Sequence, residues 1–233
     1  MPIIFDIYTK EDISLYEYAS FFFETIGKIG LEFTKIAHYE PINKVFETEK
    51  AIEMWMHEEP GCYDDELDAM VGTAGGMLGR GSGFWYSVAW WKDPRGKSIN
   101  YLTISFAKKS FTKYKQEILT VFEELLVRFN AIYGCISDEK IIDRQHITGT
   151  IKNRIPGIFA YNYFGKLFVE VIGEGKLQSL SWSNSVPLNE GLLTVLNDKK
   201  EEEFLLLEKQ MKEQIGLNLF NGKSNDYPDV LKG

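Results

Sequence analysis

PGIFAYNYFGKLFVEVIGEGKLQSL, residues 156–180, joins an aromatic, turn-rich approach to a short apolar segment and a glycine-punctuated exit. Phe164, Leu167, Phe168, Val171 and Ile172 recur at the i, i+3, i+4, i+7, i+8 spacing of one helix face, and the run Leu167, Phe168, Val169 breaks strict alternation. The spacing predicts a short, deeply packed helix. Gly165 opens it, and Gly173 with Gly175 closes it, because glycine accepts the positive φ that helix ends often need. The β-branched Val169, Val171 and Ile172 favour a strand, which stays open as the alternative. The stretch holds no Ser/His/Asp or Cys/His set and no cluster of metal ligands, so it reads as a packing element rather than a reactive one.

Working outward, residues 131–137 are strand-like and 138–156 form a polar connection of mixed charge. Downstream, 180–186 and 191–196 make a hairpin around PLNEG. Asp198 with Glu201 then caps a helix with Phe204, Leu207, Met211 and Ile215 on its apolar face, stopped by Gly216. The tail, 221–233, is polar with Pro228 inside it and is expected to run over the surface.

The amino-terminal part starts with a strand at 3–8. Thr9 and Asp12 resemble a capping box for a helix carrying Leu15, Tyr16, Ala19, Phe22, Phe23, Ile26 and Ile29. Residues 31–38 alternate loosely as a strand, Pro41 ends it, and 48–57 is a second helix. The acidic and glycine-rich residues 58–83 read as loop, or short helix plus loop. A hairpin follows, 84–91 and 100–108 around KDPRGK. Ser110 or Thr112 caps the next helix, whose stripe is Tyr114, Ile118, Val121, Phe122, Leu125, Leu126 and Phe129. Hairpins followed by helices give an α+β fold, read as one domain over 1–233. The halves 1–130 and 131–220 share the order strand, helix, hairpin, helix, which suggests a degenerate duplication.

At 233 residues with 44% hydrophobic and 26% charged side chains, the chain can bury a sizeable core without staples. Cys62 and Cys135 have no zinc or redox spacing, which implies a reduced, cytoplasmic protein. No leader pattern and no membrane-length apolar run is present. A net charge of −8 repels phosphate backbones and anionic lipid, so neither nucleic acid nor membrane is expected as a partner.

Among candidate sites, GTAGGMLGRGSGFW (72–85) lacks the lysine and following helix of a phosphate loop, and only Arg80 offers positive charge. The run from His57 to Met70 carries Glu58, Glu59, Asp64, Asp65, Glu66 and Asp68, and reads either as a solvated face or as a contact surface steering a basic partner. It has neither the second histidine of a zinc protease nor the register of an EF-hand. Tyr86, Trp90, Trp91, Tyr101, Tyr161, Tyr163 and Trp182 are core or interface. His38, His57 and His146 are scattered along the chain and read as surface or satisfied side chains. No catalytic centre, metal or cofactor is expected.

NYFG, a Val/Ile segment ending in glycine, KLQSL, a hairpin, and QMKEQIG followed by LNLF together resemble the immunity-protein-52-like families, over residues 155–221. Gly175 departs from that pattern, where the family has an acidic residue before the Lys-Leu pair. The resemblance implies a cytoplasmic antidote of a bacterial polymorphic-toxin or type VI secretion system, binding a cognate protein toxin by occlusion. The alternatives left by the residues are an enzyme with a pocket beneath the 72–83 loop and a regulatory module that binds another protein.

Overall fold

A computed structural model describes residues 1–64, 67–96, 98–145, 151–196, 201–225 and 227–231. The fold is α+β, and the chain divides into two compact units, residues 2–131 and residues 132–233 together with Met1.

The first unit contains β1 (Ile3–Thr9), α1 (Tyr16–Gly27), β2 (Phe33–Ala37), β3 (Lys44–Val45), α2 (Thr48–Met56), β4 (Glu58–Asp64), β5 (Ala69–Gly81), β6 (Phe84–Lys92), β7 (Asn100–Phe106), α3 (Lys108–Lys113) and α4 (Lys115–Arg128). Its strands pair antiparallel in the order β1-β7-β6-β5-β2-β3, and β4 takes the remaining stretch of the β5 edge. Strand alternation puts Phe5, Tyr86, Trp90 and Leu102 on the face covered by the helices. Phe22 and Phe23 of α1 meet Trp55 of α2 and Tyr86 of β6, with ring centroids 5.1–6.1 Å apart. Phe5 meets Phe122 of α4 edge-on at 4.7 Å. The indole N–H groups in this layer are satisfied: Trp90 donates to the Trp55 carbonyl at 2.8 Å, and Trp55 to the Ile13 carbonyl at 2.6 Å.

Residues 58–83, expected as loop or as short helix plus loop, contain β4 and the whole of the thirteen-residue β5. Glycine usually weakens a strand, because it leaves nothing to pack. Here the register sets Gly75 opposite Trp90, Gly79 opposite Tyr86 and Gly81 opposite Phe84. A Cβ added at any of the three would collide with the facing ring. The aromatic side chains of β6 therefore lie across the bare backbone of β5 and fill the volume its own side chains leave empty.

Two helix starts also differ from expectation. Thr9 Oγ1 donates to the Phe129 carbonyl at 2.5 Å, and Asp12 accepts from the backbone and hydroxyl of Ser14 at 3.1 and 2.6 Å, so this pair shapes the turn before α1 rather than capping it. Ser110 and Thr112 lie inside α3, and α4 starts after Tyr114.

The second unit contains β8 (Ala131–Asp138, beginning one residue before the division), α5 (Glu139–Gln145), β9 (Tyr161–Phe164), α6 (Lys166–Ile172), α7 (Glu174–Gln178), β10 (Asn184–Leu188), β11 (Gly191–Val195) and α8 (Glu201–Ile215). Its strand order is β10-β11-β9-β8, all antiparallel. The central stretch holds both a strand and a helix. Phe164 ends β9 instead of joining the helix face, and Gly165 caps α6 at φ −69°. Gly173, at φ 94°, separates α6 from α7, whereas Gly175 sits inside α7. Phe168 and Ile172 are buried, as the helical spacing predicts.

The polar connection and the tail are more buried than expected. Gln145 donates to the Ile158 carbonyl at 2.7 Å and accepts its N–H at 3.0 Å, and Asn162 makes the same pair of bonds with Phe159 at 2.8 and 2.7 Å. These amides satisfy irregular backbone that would otherwise be buried unpaired. Tyr227 donates its hydroxyl to the Ile151 carbonyl and places its ring 5.9 Å from Phe168, and Leu231 is buried. The tail is thus packed, held by two apolar side chains too isolated in sequence to show a period. Asp198 lies outside the described residues.

Candidate functional site

Strand β6 pairs with β5 only from Thr73 onward, so the earlier residues of β5 pair with β4 alone. Residues 61–64 and 69–72 accordingly form a two-stranded arm beyond the β5–β6 pairing, its base tied to the sheet by the Trp91 indole donating to the Val71 carbonyl at 3.1 Å. Its end exposes Tyr63 (55%), Leu67 (60%) and Met70 (53%) to solvent. Exposed apolar side chains on a projecting ribbon are a feature of contact surfaces, because they gain most when a partner removes them from water.

The acidic residues are distributed along this arm and its base. Glu58 accepts a hydrogen bond from the Lys92 ammonium at 2.5 Å, which holds its carboxyl below the ordinary carboxylate range, and Asp12 lies 3.6 Å from the same ammonium. Glu59 accepts from the Tyr39 hydroxyl, which raises the Tyr39 pKa. Asp68, at φ 49°, accepts from the Tyr63 hydroxyl. Asp64 ends β4, and Asp65 and Glu66 lie outside the described residues. Glu58 thus meets a cation that it shares with Asp12, whereas the hydroxyl donors to Glu59 and Asp68 are phenols.

His38 and His57, far apart in sequence, meet with ring centroids 5.0 Å apart. His38 Nδ1 lies 3.3 Å from the Gly76 carbonyl, and His57 Nε2 lies 3.9 Å from a Glu59 oxygen. His38 is half-buried beside that carbonyl and His57 is exposed, in keeping with surface or satisfied side chains, but only the antiparallel placement of β2, β4 and β5 brings the two together, and no local spacing signals it. His146 lies outside the described residues. Among the described residues, no group of three or more His, Cys, Asp or Glu side chains is arranged to hold a metal ion, and no helix is long and apolar enough to cross a membrane.

A buried charge network in the second unit also went unread. Glu208, 5% exposed, accepts from Arg144 and, at 2.8 Å, from Lys212. Burial lowers the Lys212 pKa, although the bond to Glu208 opposes the shift. Glu208 and Lys212 are an i, i+4 pair visible in the sequence; the contribution of Arg144 is not.

No family model and no curated protein matches the chain. Among solved structures, the Pseudomonas aeruginosa T6SS protein PA0821 is similar, with a TM-score of 0.62 over 92% of this chain and 73% of that one. The two are 10% identical in sequence, so the likeness is one of fold.

Proposed function

We propose that this protein is a cytoplasmic immunity protein that binds a cognate bacterial toxin and neutralises it by occlusion, without turnover. The observation that carries the reading is the β4–β5 arm, an acidic ribbon tipped with exposed Tyr63, Leu67 and Met70. The motif resemblance over residues 155–221 and the fold shared with a type VI secretion protein support the same reading. The acid groups steer a basic toxin surface, and the apolar tip contributes the contact energy. The test is co-expression with the product of the adjacent open reading frame, scored by growth rescue and co-purification. Replacing Asp64, Asp65, Glu66 and Asp68 by their amides should then slow association and flatten its salt dependence, because charges screened over about 8 Å act mainly on encounter.

The second reading is an enzyme, favoured by the meeting of His38 and His57 beside Glu59. His38→Ala and His57→Ala separate the two readings. Occlusion by the arm predicts neutralisation unaffected by either, and an enzyme using the imidazoles predicts its loss.

A further inference from the structure

The sheet face turned away from α1, α2 and α4 carries a cleft of about 530 Å³ lined by Glu40, Ile42, Leu78, Arg80, Trp85 and Ser87. Register places its floor: Arg80 is directly across from Trp85, and Leu78 from Ser87, so all four project from the same side of β5 and β6. Residues 40 and 42, in the connection from β2 to β3, supply the other wall. Trp85 is 42% exposed, unlike Tyr86 beside it, which is fully buried on the opposite face.

Arg80 and Glu40 both line this cleft and both are exposed, yet neither makes an ion pair or side-chain hydrogen bond among the described residues. Elsewhere in the molecule exposed opposite charges do join, as in Lys28–Glu124 at 2.9 Å and Lys166–Glu190 at 2.6 Å. Ser87 likewise has no side-chain hydrogen bond among the described residues. The cleft therefore offers a planar cation, an apolar and aromatic floor, and a separate anion, none of them committed to one another.

We propose that this cleft binds a short extended peptide segment in which an acidic and a basic side chain project to the same side. The carboxylate pairs with the Arg80 guanidinium and the Ser87 hydroxyl, the intervening chain lies on Trp85 and Leu78, and the ammonium or guanidinium pairs with Glu40. In an extended chain, side chains two residues apart share a face at about 6.6–6.8 Å, so the two charged side chains of the segment reach the two walls from one face. A purely anionic ligand would be repelled by Glu40 and a purely cationic one by Arg80, so the charge pattern selects for both together. This site is independent of the β4–β5 arm and of any toxin.

The test uses the protein alone, with indole N–H signals followed by heteronuclear NMR and the Trp85 signal assigned by Trp85→Phe. Three probes are titrated: acetyl-Glu-Leu-Lys-amide and its variants with Gln replacing Glu or Gln replacing Lys. The expected result is a saturable shift of the Trp85 signal with the first peptide, weakened about three- to tenfold with either variant. In Arg80→Gln protein, replacing the probe's Glu should have no further effect; in Glu40→Gln protein, the same should hold for its Lys. No saturable shift, or equal affinity for all three probes, would overturn the proposal. The unaltered protein carries the comparison among probes, so the result does not depend on a variant folding.

Discussion

Gly79→Ala sets two opposing effects against each other at one atom. Replacing a strand glycine by alanine restricts the unfolded chain and, where the site accepts it, stabilises by about 0.4–1 kcal/mol. Gly79 has no left-handed φ to forbid a side chain. Its added Cβ, however, points into the Tyr86 ring, whose side chain is fully buried and enclosed by Phe22, Phe23 and Phe33 at centroid distances of 5.1, 6.1 and 5.7 Å. Overpacking a filled core costs about 1–3 kcal/mol, so the collision outweighs the entropy gain and a net loss of about 1–2 kcal/mol is expected. Urea denaturation followed by fluorescence measures it. Gly175→Ala is the control of opposite sign: it lies inside α7 with nothing within 4 Å of an added Cβ, and should stabilise by about 0.5–1 kcal/mol. In a Tyr86→Leu background the penalty at Gly79 should shrink, because the ring that causes it has gone. A Gly79→Ala protein as stable as its parent would refute the account of β5 as a strand bared to receive the rings of β6.

Three further outcomes follow from polar groups that are buried or half-buried. Tyr86→Phe should leave stability unchanged or raise it by about 1 kcal/mol in the same urea assay, since the hydroxyl is buried with no hydrogen-bond partner among the described residues. Glu208→Gln should destabilise by about 3 kcal/mol in urea denaturation, because it strands Lys212 and Arg144 without their shared anion. Burial raises the Asp6 carboxyl to about 6, although the Thr103 hydroxyl, donating at 2.6 Å, stabilises the charged form. With the folded pKa above the unfolded one, the folded state holds the proton longer, and this group's contribution to stability falls as pH rises from about 4 to about 6. Asp6→Asn should therefore flatten that window relative to the parent, as read from denaturation midpoints across pH.

Periodic features were the ones legible in the sequence. The stripe Ile118, Val121, Phe122, Leu125, Leu126 is buried along α4, and α2 falls at Thr48–Met56 within a residue of its expected span. The hairpin of β6 and β7 and the α+β class were equally readable. Strand β5 was not, because its alternation is written in absences: Gly75, Gly79 and Gly81 become intelligible only beside Trp90, Tyr86 and Phe84 of the next strand. Phe164 continues the helical spacing of Leu167, Phe168, Val171 and Ile172 by coincidence, and the pairing of β9 with β8 and β11 overrides it. Tyr227 and Gln145 satisfy backbone partners that are far away in sequence and leave no local pattern. At the arm, the acidic residues were readable from sequence, whereas the apolar end formed by Tyr63, Leu67 and Met70 needed the strand register to place it. The pairing of His38 with His57 likewise depends on which strands adjoin.

Occlusion without turnover, as proposed above, would have a stoichiometric signature, and titrating the toxic activity of the neighbouring gene's product, the proposed partner, with this protein reads it directly. Binding by occlusion predicts activity falling linearly with added protein and reaching zero at one equivalent, with activity recovered when the complex is dissociated and the protein removed. Complete inactivation of the toxin by a small fraction of an equivalent, or activity that stays lost after separation, would contradict it.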